Sequence, residues 1–111
     1  MEHDFLEIIK MRCSCRKFQD RQISHVELDA VLEAGTYAPS AEGRQSAFIV
    51  AVQNKEQRKK LAAMNAAVIG SKSNPFYDAP TYVLVFAPSN AHTAIEDGTC
   101  VLENMMLAAH A

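Results

Sequence analysis

Residues 9–18 read Ile9-Lys10-Met11-Arg12-Cys13-Ser14-Cys15-Arg16-Lys17-Phe18, and from Arg12 onward the stretch has no helical or strand period. Arg12, Ser14 and Arg16 stand two apart. On an extended backbone, side chains two apart point the same way. Two guanidinium forks beside a hydroxyl suit a phosphate monoester, whose dianion offers several acceptors. A solvated arm carrying ordinary surface arginines accounts for the same spacing, and spacing by itself favours that plainer reading.

Working outward, Asp4–Lys10 carries Phe5, Leu6, Ile8 and Ile9 at helical spacing, which predicts a short helix ending near Met11. Arg12–Gln22 is charged and aperiodic, an ordered loop or extended arm. Ser24-His25-Val26-Glu27 has the form of a capping box and opens a helix running to about Tyr37. Pro39 ends it, because the residue before a proline is pushed out of the helical region. Ala47–Gln53 (AFIVAVQ) is short, apolar and β-branched, and predicts a buried strand. Asn54 with Gln57 caps a further helix, with Leu61, Ala62, Met64 and Val68 expected along its packed face. Gly70–Asp78 is rich in turn formers. Thr81–Ala87 (TYVLVFA) reads as a second buried strand between Pro80 and Pro88, and Thr93 with Glu96 offers a capping box for a last helix. The predicted order is α-α-β-α-β-α in a single domain over residues 1–111, without repeat or linker. The final stretch VLENMMLAAHA is apolar on nearly every side, which predicts burial. Two strands cannot cover such a helix, so the reading calls for missing sequence, a partner chain, or both.

Composition narrows the function classes. With 111 residues, 49% hydrophobic and 22% charged, the chain is too apolar for intrinsic disorder. A net charge of −2 gives no basic excess for nucleic acid. No apolar run reaches the roughly 18–20 residues that cross a bilayer, and the start Met1-Glu2-His3-Asp4 is acidic, unlike a signal peptide. Three cysteines fall far below the density of a disulfide scaffold, so a reduced, cytoplasmic protein is expected. Cys13 and Cys15 form C-x-C and are expected to pack inward, opposite Arg12 and Arg16; Cys100, among apolar residues, is expected in the core. His3, His25, His92 and His110 lack metal-ligand spacing, so no metal is expected. There is no glycine-rich phosphate loop and no acid–base dyad, since Glu96 and Asp97 are merely adjacent. Pro39-Ser40-Ala41 and Gln45 combine small residues with an amide that can donate and accept, which suits the edge of a planar heterocycle. A tight connecting turn explains them as well.

In their order these segments resemble the nitroreductase family of FMN-dependent oxidoreductases. Residues 9–18 resemble that family's basic R-x-S-x-R-x-F opening. The likeness continues through Leu32-Glu33-Ala34-Gly35-Thr36-Tyr37-Ala38-Pro39-Ser40-Ala41 and Arg44-Gln45-Ser46, then Met64-Asn65 and Phe76-Tyr77-Asp78-Ala79-Pro80. It ends with Glu96-Asp97-Gly98 and Asn104-Met105-Met106-Leu107-Ala108-Ala109-His110. The resemblance implies an α+β, nitroreductase-like fold with a central, mostly antiparallel sheet flanked by helices, and a homodimer holding FMN between subunits. On that model Arg12, Cys13, Ser14 and Arg16 lie at the FMN phosphate and ribityl chain. Pro39, Ser40 and Ala41 approach the isoalloxazine from the partner subunit, Gln45 bonds the ring's polar edge, and Asn65 also meets the flavin. No side chain is called catalytic, because the cofactor performs the difficult chemistry. Hydride would pass from NADH or NADPH to the flavin, and electrons then to a small acceptor such as a nitroaromatic or quinone.

Three departures stand out. Many relatives carry an asparagine in the loop where this chain has Glu42-Gly43. Ser46-Ala47 replaces the common Pro-Trp after the glutamine, which places the chain nearer the Gln-Ser members. The family also continues with a further strand, helix and C-terminal basic residue, so the chain reads as an N-terminal portion with an incomplete C-terminus. The alternatives are a flavin-binding or flavin-modifying module of the same fold without nitroreductase turnover, and an inactive fragment that only dimerises.

Overall fold

A computed structural model describes residues 4–111. Its elements follow the predicted order: α1 (Phe5–Met11), α2 (His25–Thr36), a 3-10 turn (Ala41–Gly43), β1 (Phe48–Val52), α3 (Lys55–Ile69), β2 (Tyr82–Phe86) and α4 (Ala94–His110). His3, weighed above as a metal ligand, lies outside the described residues. Contacts group the chain into two compact units. One comprises the chain up to Cys13 with Ser24–Val50 and Val85–Ala111, the other Ser14–Ile23 with Ala51–Leu84.

In the first unit, α2 starts at a complete capping box. The Ser24 hydroxyl accepts the Glu27 N–H at 3.2 Å, and the Glu27 carboxylate accepts the Ser24 N–H at 3.0 Å. Both α1 and α2 pack on α4. The approach is closest at Gly35, where an added Cβ would stand 2.8 Å from Met105 Cγ and 2.9 Å from Ile49 Cδ1. A side chain here would have to push Met105 or Ile49 aside. Leu28, Ala38, Val101 and Met105 form the buried apolar set. Asn104 adds a side-chain bond to the Ala34 carbonyl at 3.0 Å.

Helix α4, expected to be buried all round, is buried along one stripe only. Asp97, Val101 and Met105 are buried at four-residue spacing, while Ile95 (82% exposed), Leu102 and Met106 are open on another face. The sheet has two strands in the order β1-β2. Phe48, first in β1, stacks on Phe86, last in β2, with ring centroids 5.3 Å apart, as antiparallel pairing requires. Phe48 and Val50 are exposed, so β1 is not the buried strand expected. A strand in a two-stranded ribbon has only one neighbour and cannot be enclosed as an interior strand is.

In the second unit, the Asn54 side chain accepts the Gln57 N–H at 3.0 Å and starts α3, and Gly70 ends it in the left-handed conformation (φ 69°). The packed face differs from the expected one. Ala62 is buried and Leu61 half-buried, but Met64 and Val68 are 62% and 84% exposed. Arg58 decides this orientation. Its guanidinium donates to the Gln53 carbonyl (3.1 Å) and the Ala79 carbonyl (3.0 Å) and sits 5.9 Å from the centroid of the Tyr82 ring, itself stacked on Phe76. The row that packs thus runs through Arg58 and Ala62, four apart, rather than through Met64 and Val68. Among the described residues no helix is long and apolar enough to cross a membrane.

Candidate functional site

Helix α2 stops at Thr36, and the chain turns through Pro39 into the 3-10 turn before β1. That loop is laced by its own bonds. Gly43 N–H donates to the Ser40 carbonyl (3.1 Å) and Arg44 N–H to the Ala41 carbonyl (3.2 Å). The Ser40 hydroxyl accepts the Gln45 N–H at 2.8 Å, and Arg44 pairs with Glu42. Glu42 (φ 56°) and Gln45 (φ 49°) are both left-handed, which is unfavourable for residues with side chains unless surrounding bonds impose it. Glu42 and Gly43 (φ 64°), where the resemblance gives many relatives an asparagine, are both left-handed, a conformation that asparagine and glycine tolerate better than glutamate does.

Pro39, Ser40 and Gln45 line one cavity of about 420 Å³, within the range of small-molecule sites. Its walls are mostly apolar, with Leu32, Phe48, Ile49 and Val101 prominent, and one carboxylate, that of Asp97, also faces it. Ala41 is not in the lining; its N–H donates to Asp97 Oδ1 at 3.0 Å. The second oxygen of Asp97 accepts the Thr93 hydroxyl at 2.9 Å. Thr93, at φ −111° and ψ 25°, makes no side-chain cap at the start of α4, contrary to the predicted capping box with Glu96.

Asp97 carries no role in the sequence reading, yet it is the one charged residue buried among the described residues, at 6% exposure. A signal was present: Asp97, Val101 and Met105 stand four apart on one helical stripe, so an acid sits where apolar residues belong. A buried carboxylate must find donors, and Ala41 and Thr93 supply them.

The arm is built differently. Arg12 is half-buried, and every residue from Cys13 to Glu27 is exposed. Among the described residues neither Arg12 nor Arg16 takes part in an ion pair. The far end of the segment is fixed by Gln22, whose amide donates to the Pro80 carbonyl at 2.8 Å and accepts from the Thr81 hydroxyl and the Ile23 N–H. Cys13 and Cys15 are exposed free thiols, so the expected inward packing does not occur; Cys15 Sγ donates to the Lys17 carbonyl. With the whole stretch open to solvent, alternation has no inside to sort residues into. Cys100 is half-buried rather than core. Asn65 is exposed on α3. The sequence-predicted positions fall into both units: Arg12, Cys13, Pro39, Ser40, Ala41 and Gln45 in the first, Ser14, Arg16 and Asn65 in the second.

Comparison with known proteins identifies the type of fold. The FMN-bound nitroreductase of Bacteroides fragilis superposes with a TM-score of 0.87 at 32% identity, covering 98% of this chain and 65% of that one. The FMN-bound nitroreductase of Desulfitobacterium hafniense gives 0.86 at 29% identity, covering 99% and 66%. The FMN reductase (NAD(P)H) of Bacillus subtilis is 33% identical over 86 residues, which is 76% of this chain and 32% of that protein. A relative from Methanothermobacter thermautotrophicus is 31% identical over 111 residues, covering 96% of this chain and 56% of its own length. The chain thus spans about a third to about half the length of these two curated relatives. A family model described as the nitroreductase family matches residues 9–75, more than half of the sequence, and with the α+β fold just described the chain belongs to the nitroreductase family.

Proposed function

We propose that this chain forms the FMN site of an NAD(P)H-dependent oxidoreductase that works as a homodimer and reduces small acceptors of the nitroaromatic or quinone type. The observation that carries this reading is the pair of unpaired guanidinium groups, Arg12 and Arg16, flanking Ser14 on an exposed segment without regular structure. Guanidinium groups without a protein carboxylate are ready to meet a dianionic phosphate through charge-assisted bonds. Cys13 would offer its backbone at the same place.

The second half of the fit is the loop from Pro39 to Gln45. Ser40 and Gln45 line a largely apolar cavity, and a flat heterocycle needs an apolar wall with few polar contacts. Gln45 would donate to and accept from the ring's polar edge, Pro39 and Ala41 would pack against it, and Asn65 would add one polar contact. When bound, FMN would supply the two-electron chemistry, taking a hydride equivalent from NADH or NADPH and delivering electrons to the acceptor. The residues of this chain would bind, orient and exclude water, which fits a site with no acid–base dyad. The exposed stripe of Ile95, Leu102 and Met106 on α4 would supply apolar surface for the second subunit. Three free thiols suit a reducing compartment, and we place the protein in the cytoplasm.

The test is a titration of the purified protein with FMN followed by anaerobic NADH or NADPH. Quenching of FMN fluorescence and bleaching of the visible flavin band are expected, with recovery of the band on adding a nitroaromatic. Protein that leaves FMN fluorescence unchanged at micromolar concentrations overturns the reading. Binding without bleaching would instead favour a flavin-binding module.

A further inference from the structure

Each bond that shapes the loop from Ser40 to Gln45 lies within the loop itself, with one exception among the described residues. Gly43 to Ser40, Arg44 to Ala41, Gln45 to Ser40 and Arg44 to Glu42 are all internal. They fix the loop's conformation but cannot fix where it stands on the helices. The exception is Ala41 N–H, which donates to Asp97 Oδ1 at 3.0 Å. Asp97 is buried on α4, and its other oxygen is held by the hydroxyl of Thr93, the residue just before that helix, at 2.9 Å. With both oxygens engaged the carboxylate cannot rotate, so the Ala41 amide is held to one point on α4. Ser40 precedes that amide directly, and Ser40 in turn accepts from Gln45.

We propose that Asp97 is a positioning residue of the flavin site. Its carboxylate docks the Ser40–Gln45 loop onto α4 and thereby sets where Ser40 and Gln45 present themselves to the flavin. The proposal rests on the FMN reading above, and the carboxylate itself acts only through the loop. Its role is geometric, so an amide should largely replace it. In Asp97→Asn, Oδ1 still accepts from Ala41, while the amide nitrogen donates to the Thr93 hydroxyl, which can turn from donor to acceptor. Asp97→Ala leaves the Ala41 N–H without an acceptor and opens the docking point.

Three proteins are compared: the wild type, Asp97→Asn and Asp97→Ala, each checked for a cooperative melt. At saturating FMN, Asp97→Ala is expected to show a shifted visible flavin band and at least a tenfold lower kcat for NAD(P)H oxidation, with KM for NAD(P)H within about twofold. Its FMN affinity should fall at least tenfold. Asp97→Asn should restore all of these to within about threefold of wild type. Wild-type spectrum and kcat in Asp97→Ala overturn the proposal, and so does equal loss in both variants, which would mean that charge rather than the bond matters.

Amide exchange supplies a readout independent of flavin. The Ala41 amide should lose protection in Asp97→Ala and keep it in Asp97→Asn, while α4 amides beyond the first turn stay protected. An Ala41 amide equally protected in all three proteins also overturns the proposal. A wild type that binds no FMN overturns the flavin reading and, with it, the flavin part of this proposal, while the Ala41 exchange still decides the docking.

Discussion

The loop from Ser40 to Gln45 and the arm around Arg12 to Arg16 both carry residues proposed for the flavin, and the two are prepared in opposite ways. The loop is satisfied before any ligand arrives: it has four internal bonds and a fifth to a buried carboxylate. The arm is exposed from Cys13 on, its two arginines have no acidic partner among the described residues, and it is held by the Arg12 N–H on the Ile8 carbonyl at one end and by the Gln22 contacts at the other. The difference suits what each segment is proposed to bind. A ring edge needs a few polar groups at fixed positions, so their order must be built into the fold. A dianionic phosphate supplies enough charge to order long cationic side chains itself, and a protein carboxylate placed there in advance would compete with it.

The sharpest way to break this contrast is the double variant Arg12→Ala/Arg16→Ala. Charge-assisted bonds contribute roughly 1.5–3 kcal/mol each, and the exposure of the arm argues for the lower end of that range. The pair should cost about 3 kcal/mol or more of FMN binding, a loss of at least a hundredfold. Fold stability should stay within about 0.5 kcal/mol, as for surface changes that remove no structural contact. FMN titration and urea unfolding measure the two quantities. Unchanged FMN affinity means that the phosphate is held elsewhere. A large loss of stability means that the arginines serve the fold after all.

Gly35→Ala reverses the expected signature at the base of the loop. The new Cβ would stand within 3 Å of both Met105 Cγ and Ile49 Cδ1, so one of these side chains or the element that carries it must shift. Overpacking of this kind costs about 1–3 kcal/mol, read as a lower urea midpoint. Because the loop leaves from the end of α2, FMN affinity should fall too, but less than in the double arginine variant. A midpoint at or above wild type would show that the Met105 side chain swings aside freely.

What was legible in the sequence separates along the same line. The caps at Ser24 and Asn54 could be read because each depends on residues three positions apart, and both strands because each is a short contiguous β-branched run. The same capping pattern at Thr93 and Glu96 forms no cap, because the Thr93 backbone (φ −111°, ψ 25°) is not in the extended conformation of Ser24 and Asn54, and its hydroxyl donates to Asp97. On α3 the packed face carries Arg58, bound to two carbonyls and close to an aromatic ring, in place of the apolar Met64 and Val68 that the pattern predicts. The inward cysteines presumed a covered arm, whereas Cys13 and Cys15 are open to solvent. Asp97 was passed over because its partner Ala41 lies 56 residues away, and a backbone N–H leaves no trace in composition. Local chemistry is visible in a single sequence, and long-range backbone bonds are not.

Asn65→Ala is the smallest of these changes and the most discriminating in sign. Asn65 is exposed on α3, so its removal breaks no buried contact. Alanine is the better helix former, by up to about 0.7 kcal/mol, which should raise the urea midpoint slightly. If the side chain meets the flavin, the lost neutral hydrogen bond should cost about 0.5–1.5 kcal/mol, roughly a two- to twelvefold drop in FMN affinity. Stability and affinity would then move in opposite directions, a result that no general loosening of the fold can imitate. An affinity that holds steady while the midpoint rises would remove Asn65 from the site. The flavin contacts would then fall to the Ser40–Gln45 loop and the arm alone.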